Sequence, residues 1–204
     1  MIKAVLFDFA GTLFGRPTYQ WLSPRHLSVL RAPAPFVARM NAAERAVWDA
    51  RDLTALANRS AHWILFRLAG LSFDDELFQR LHNPAFWLPY ADTAAALEAA
   101  RPLKVGVLSN ISWDIRRVFA REQLSVDAFA LSYELGVSKP SARAFEAACV
   151  RLDVEPSECL YVGDDPVADG AAVAAGLRFA QISTAPVGRR EPVLLQALAS
   201  HGIG

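Results

Sequence analysis

From Leu103 to Ser200 the chain alternates short apolar runs with helical patterns, and this rhythm restricts the fold more than any other feature. Leu103–Leu108, Ala128–Tyr133, Leu160–Val162 and Arg178–Ile182 read as strands. Asp114–Arg121, Ala142–Leu152, Val167–Ala175 and Glu191–Ser200 read as the helices that follow them. Alternation of this kind predicts a parallel sheet with right-handed crossovers, because each strand must return over the sheet before the next begins. The N-terminal run Ile2-Lys3-Ala4-Val5-Leu6-Phe7 adds one more strand. It is apolar almost throughout, as a strand covered on both faces must be. The predicted class is α/β, a parallel sheet with helices on both faces.

The stretch 15–88 breaks the rhythm and reads as all-helical. Asn41-Ala42-Ala43-Glu44 has the spacing of a capping box. Leu53–Leu68 carries apolar residues at helical spacing and stops at Gly70, and Ser72 and Asp75 suggest another helix start. Prolines 17, 24, 33 and 35 mark the entry, and 84 and 89 the exit. The expected organisation is a catalytic core, 1–14 with 89–204, and an inserted helical cap of about four helices, 15–88.

Composition narrows the function classes. Basic and acidic residues number 21 each, so the basic excess of a nucleic-acid binder is missing. No stretch approaches the roughly 20 apolar residues of a membrane span. The N-terminal apolar run is too short for a signal peptide, and the expected location is cytoplasmic. The expected partner is a small molecule, with no nucleic acid and no membrane. Cys149 and Cys159 do not form a C-x-x-C pair and read as small buried hydrophobes.

In an open parallel sheet, ligands bind at the carboxyl ends of the strands. Those ends carry Asp8-Phe9-Ala10-Gly11-Thr12, Ser109-Asn110 and Gly163-Asp164-Asp165, with Asp169 just beyond; a later loop adds Ser138-Lys139-Pro140. Carboxylates, a hydroxyl and an ammonium therefore converge on one crevice. An isolated Asp after a strand is ordinarily a turn residue or a helix cap, and Asp165 is read as such a cap. Lys139 alone would be a solvated loop residue.

Taken together and in order, these clusters resemble the four motifs of the haloacid dehalogenase (HAD) superfamily of hydrolases, which is dominated by phosphatases. Phe7–Leu13 is similar to the first motif, Val107–Asn110 to the second, Lys139-Pro140 to the third and Val162–Asp169 to the fourth. The resemblance covers most of the chain outside 15–88. It implies a Rossmann-like core with the first strand central and a helical cap. It implies that Asp8 attacks phosphorus and becomes an aspartyl-phosphate. Mg²⁺ would be held by Asp8, the main-chain carbonyl of Ala10 and Asp164, with Asp169 beside them. Lys139 would supply compensating charge, and Ser109, the Asn110 amide and the amides near Gly11-Thr12 would hydrogen-bond the phosphate oxygens.

Ala10 departs from this pattern. Most phosphatases of the superfamily carry a second Asp there, which protonates the leaving oxygen and then activates water, help typically worth about 10²–10⁴-fold. Alanine does neither. Three explanations stand open: a substrate whose leaving group needs no proton or that brings its own acid, an acid supplied by the cap (His26, His62, His82, Glu44, Asp49 or Asp52), or a catalytically weak protein that binds a ligand or partner. Phosphonatases also resemble this motif with Ala, but they use a cap lysine to form an imine, and residues 15–88 contain no lysine. The dehalogenase branch lacks the acidic fourth motif that Asp164 and Asp169 supply here. The cap aromatics (Trp21, Trp48, Trp63, Phe66, Phe73, Phe78, Phe86, Trp87) should fill the cap or its seam with the sheet. The arginines 16, 39, 51 and 59 read as solvated.

Overall fold

The computed structural model describes residues 1–204. Its main sheet contains β1 (Ala4–Phe7), β4 (Lys104–Ser109), β5 (Ala128–Leu131), β6 (Cys159–Gly163) and β7 (Arg178–Gln181). The order is β5-β4-β1-β6-β7, all parallel, with β1 at the centre. This is the expected Rossmann-like α/β fold. β1 is buried along its whole length, as its apolar run requires.

Strand alternation sends side chains to two separate cores. Val5, Phe7, Val105, Val107, Leu160 and Val162 face one side, beneath α6 (Thr93–Ala99), α7 (Arg116–Arg121) and α10 (Val193–Ala199). Ala4, Leu6, Leu108, Cys159 and Tyr161 face the other, beneath α9 (Ala142–Leu152). Both cysteines are unpaired and buried in this second core.

The insertion contains five helices: α1 (Pro24–Arg31), α2 (Ala34–Val37), α3 (Ala42–Asp49), α4 (Ala55–Leu68) and α5 (Asp75–Leu81). They enclose a core of their own, built on Leu22, Val29, Val37, Leu65, Phe66 and Leu81. The Asn41–Glu44 capping box forms as read. α4 starts behind Thr54, whose hydroxyl accepts the Ala57 N–H, and α5 starts at Asp75 as read, capped by Asp74 rather than by Ser72. A short antiparallel pair, β2 (Phe14–Gly15) with β3 (Leu88–Pro89), joins the two ends of the insertion. Two-residue strands carry no periodicity, so sequence reading passes over them. No helix is long and apolar enough to cross a membrane.

Two expected elements differ. β5 stops at Leu131, and Ser132–Leu135 forms a short helix, α8, closed by Gly136 at φ 67°. The helix expected over 167–175 is instead a chain of turns with one 3₁₀ segment, Gly170–Ala172. There Asp165 accepts the N–H groups of Val167 and Ala168, and Asp169 N–H returns to the Asp165 carbonyl. Local side-chain bonding of this kind competes with the helical ladder.

Candidate active site

Parallel strands bring their carboxyl ends to one edge, and the four clusters meet there. Asp8 follows β1 and is buried, its N–H bound to the Val162 carbonyl of β6. Lys139 reaches into the crevice from the loop before α9 and is also buried. Its ammonium lies 2.7 Å from Asp8 Oδ1, 2.6 Å from Asp169 Oδ1 and 2.7 Å from the Tyr161 hydroxyl. An ammonium has three hydrogens, and these three acceptors use them all.

Asp169 accepts three hydrogen bonds. Its Oδ1 accepts from Lys139 and from Tyr161 at 3.0 Å, and its Oδ2 accepts the Asp165 N–H at 2.9 Å. Asp164 lies nearer solvent. Its Oδ1 faces the Thr12 hydroxyl at 3.3 Å and its Oδ2 faces Arg16 Nη2 at 3.4 Å. Gly11, at φ 102°, lets the first loop pass so close that a Cβ there would sit 2.5 Å from Asp164 Oδ2.

Asn110 is occupied with Lys139. Its Nδ2 donates to the Lys139 carbonyl and its Oδ1 accepts the Lys139 N–H, both at 2.8 Å. The side chain thus fixes the backbone that carries the ammonium. Ser109 is buried at the end of β4, opposite Leu131. The Gly11 N–H is used within its own turn, bound to the Phe14 carbonyl at 2.7 Å, so it does not face the crevice as expected. Ala10 is half-buried beside Asp8 and presents only a methyl group.

One carboxylate oxygen from each of Asp8, Asp164 and Asp169 lies within 4.8 Å of the others. Three carboxylates face one buried ammonium and the exposed Arg16 guanidinium, which leaves the cluster net negative. Burial raises the Asp8 carboxyl most; the Lys139 charge opposes that rise and Asp169 adds to it, leaving Asp8 at about 6. Asp164 is raised for the same first reason, with Arg16 pulling it down and Asp169 pushing it up. Burial alone would lower the Lys139 ammonium, but Asp8 and Asp169 outweigh it and hold the group above its ordinary value. A divalent cation among hard oxygen donors would neutralise the deficit, so the donor set fits one.

Three participants escaped sequence reading. Tyr161 reads as an ordinary strand aromatic, but its hydroxyl joins the Lys139–Asp169 pair. Ser132 accepts the Ile111 N–H at 2.8 Å and donates to the Asp52 carbonyl of the insertion at 2.6 Å. Arg190 donates to the Gly11 and Thr12 carbonyls at 3.1 and 2.7 Å and pairs with Asp92 at 2.9 Å, lying over the Tyr90 ring. Of the insertion's aromatics, Phe66 fills its core, Trp63 is exposed, and Trp87 packs on Phe9 and Trp113 of the main sheet. Of its arginines, Arg39 and Arg51 bind carbonyls, Arg59 pairs with Asp75 and Arg16 with Asp164.

A buried carboxylate bridged to a buried lysine, at the carboxyl edge of an open parallel sheet with an inserted helical segment, defines a class of hydrolase. The family model of haloacid dehalogenase-like hydrolases matches residues 2–176, and the chain belongs to that family. It is 28% identical over 182 residues to a glyceraldehyde 3-phosphate phosphatase of Methanopyrus kandleri, covering 80% of this chain and 76% of that one. It is 40% identical over 99 residues to a phosphatase of Mycobacterium tuberculosis, covering 44% of each. The chain spans less than half the length of that relative. Among solved structures, L-2-haloacid dehalogenase from Xanthobacter autotrophicus superposes with a TM-score of 0.70 at 24% identity, over 99% of this chain and 84% of that one. A family enzyme of Bacteroides thetaiotaomicron in complex with magnesium and inorganic phosphate superposes at 0.61 and 16% identity, over 93% and 98%. The chain thus belongs to a family of hydrolases and has phosphatases among its relatives.

Proposed function

We propose that this hydrolase cleaves a small organic phosphate through an aspartyl-phosphate on Asp8, with Mg²⁺ held by Asp8, the Ala10 carbonyl and Asp164, and that residues 15–88 cap the site. The observation that carries this reading is the pairing of Asp8 with Lys139 at 2.7 Å inside a three-carboxylate cluster. A phosphate brought to Asp8 would be repelled by these carboxylates. The cation, when bound, supplies the positive charge that offsets this repulsion. Among the chain's own residues, Asp8 offers its carboxylate oxygen to phosphorus. Lys139 holds that carboxylate in line while Asp169 and Tyr161 fix the ammonium. Thr12 orients Asp164. The phosphatase names of the relatives support the substrate class, and glyceraldehyde 3-phosphate is the first compound to try.

The test is a screen of phosphorylated metabolites with and without Mg²⁺, on the wild type, Asp8→Asn and Ala10→Asp. Mg²⁺-dependent release of phosphate that Asp8→Asn abolishes supports the reading; turnover retained in Asp8→Asn overturns it. Ala10 favours a second reading, a catalytically weak protein that binds a ligand or partner. That reading gains if Ala10→Asp raises turnover many-fold, and loses if Ala10→Asp lowers turnover of a good natural substrate.

A further inference from the structure

The phosphatase reading leaves one task unassigned, since the methyl group of Ala10 cannot carry a proton. The inserted segment offers several acids and imidazoles, and the structure removes almost all of them. Glu44 caps α3 and pairs with Arg67. Asp74 caps α5, while Asp75 and Glu76 pair with Arg59 and Arg80. Asp49 is exposed. His26 is held by Ser23 and the Ser72 carbonyl. His62 and His82 both bind Asn58 inside the insertion's own core.

Asp52 is different. It lies in the loop between α3 and α4, and its carbonyl is tied to Ser132 Oγ at 2.6 Å. That hydroxyl also accepts the Ile111 N–H, one residue beyond the Asn110 that brackets Lys139. The loop is therefore fastened to the strand ends that carry the site. The Asp52 carboxylate is part-buried, and its one ion-pair partner is Arg51 at 3.5 Å. Lys139 is among the charges that act on it, after Arg51, against the effect of burial.

Resting on the phosphatase reading, we infer that Asp52 is the acid and base that Ala10 cannot be. When Asp8 attacks phosphorus and the ester P–O bond breaks, the Asp52 carboxylic acid gives its proton to the leaving oxygen, releasing an alcohol. The resulting carboxylate then takes a proton from water. The hydroxide formed bonds to phosphorus, the P–O bond to Asp8 breaks, and inorganic phosphate leaves with Asp52 protonated again. Burial raises the Asp52 carboxyl above the ordinary range, with Arg51 and Lys139 opposing, and a raised value suits a proton donor.

The experiment compares the wild type, Asp52→Asn, and Asp52→Asn combined with Ala10→Asp, on glyceraldehyde 3-phosphate and p-nitrophenyl phosphate with Mg²⁺. Asp52→Asn is expected to lower turnover of the alkyl ester by about 10²–10⁴-fold. With the aryl ester, whose leaving group needs no proton, it should release one nitrophenolate per site and then stall with label on Asp8. Adding Ala10→Asp should restore turnover, which a merely structural defect would not allow. Turnover unchanged in Asp52→Asn, a rise in KM with kcat kept, or a loss that Ala10→Asp does not rescue overturns the assignment while leaving the phosphatase reading intact. A wild type that neither ester labels at Asp8 overturns both.

Discussion

Lys139 Nζ sits 2.7 Å from Asp8 Oδ1, and both side chains are withdrawn from solvent. Removing one partner of a buried pair strands the other charge, which typically costs about 3–5 kcal/mol. Lys139→Met should therefore lower the midpoint of urea unfolding and abolish turnover. Adding Asp8→Asn should recover part of the lost stability, because the stranded carboxylate is then gone. Additive losses across this double-mutant cycle would show that the two groups do not act as a pair.

Gly11 has a backbone that L side chains rarely adopt, and a Cβ would meet Asp164 Oδ2 at 2.5 Å. Gly11→Ala should push Asp164 away from Asp8. The expected result is weaker Mg²⁺ binding, read as a smaller rise in melting temperature on titration with the ion, together with reduced turnover. An unchanged Mg²⁺ response would separate the loop conformation from the carboxylate cluster.

Arg190 ties the first loop to Asp92, which in turn accepts the Leu194 N–H at the start of α10. Arg190→Met should cost about 3–5 kcal/mol by stranding Asp92 and should lower kcat by loosening Gly11 and Thr12. Arg190→Lys should restore little, since an ammonium cannot span these acceptors as the planar guanidinium does. Full recovery with lysine would argue that charge alone matters.

Burial lowers His62 to about 4, the Asn58 carbonyl partly opposing the shift. The folded protein therefore prefers neutral His62, and the unfolded chain binds the extra proton first. The stabilisation is complete above the ordinary histidine value and is lost as pH falls from about 6.5 towards about 4, amounting to about 3 kcal/mol at the acid end. Melting temperatures measured from pH 7.5 down to pH 4.5 should fall, and His62→Phe should flatten the decline. A flat profile in the wild type would exclude His62 as its source.

The sequence by itself determined the parallel α/β core and the helical character of 15–88, because apolar runs and capping residues act over a few neighbours. It also pointed to Asp8 and Asp164, since parallel strands must present their ends on one edge, and to Lys139 and Asp169 through the order of the motifs. It misjudged 167–175, where Asp165 bonds its own backbone and replaces a helix by turns. Tertiary structure alone decided which groups meet. Tyr161 completes the lysine's three acceptors, Arg190 clamps a loop far away in the chain, and Ser132 carries Asp52 of the insertion to the strand ends. No local pattern records such contacts, because they depend on packing between segments that only the folded chain brings together.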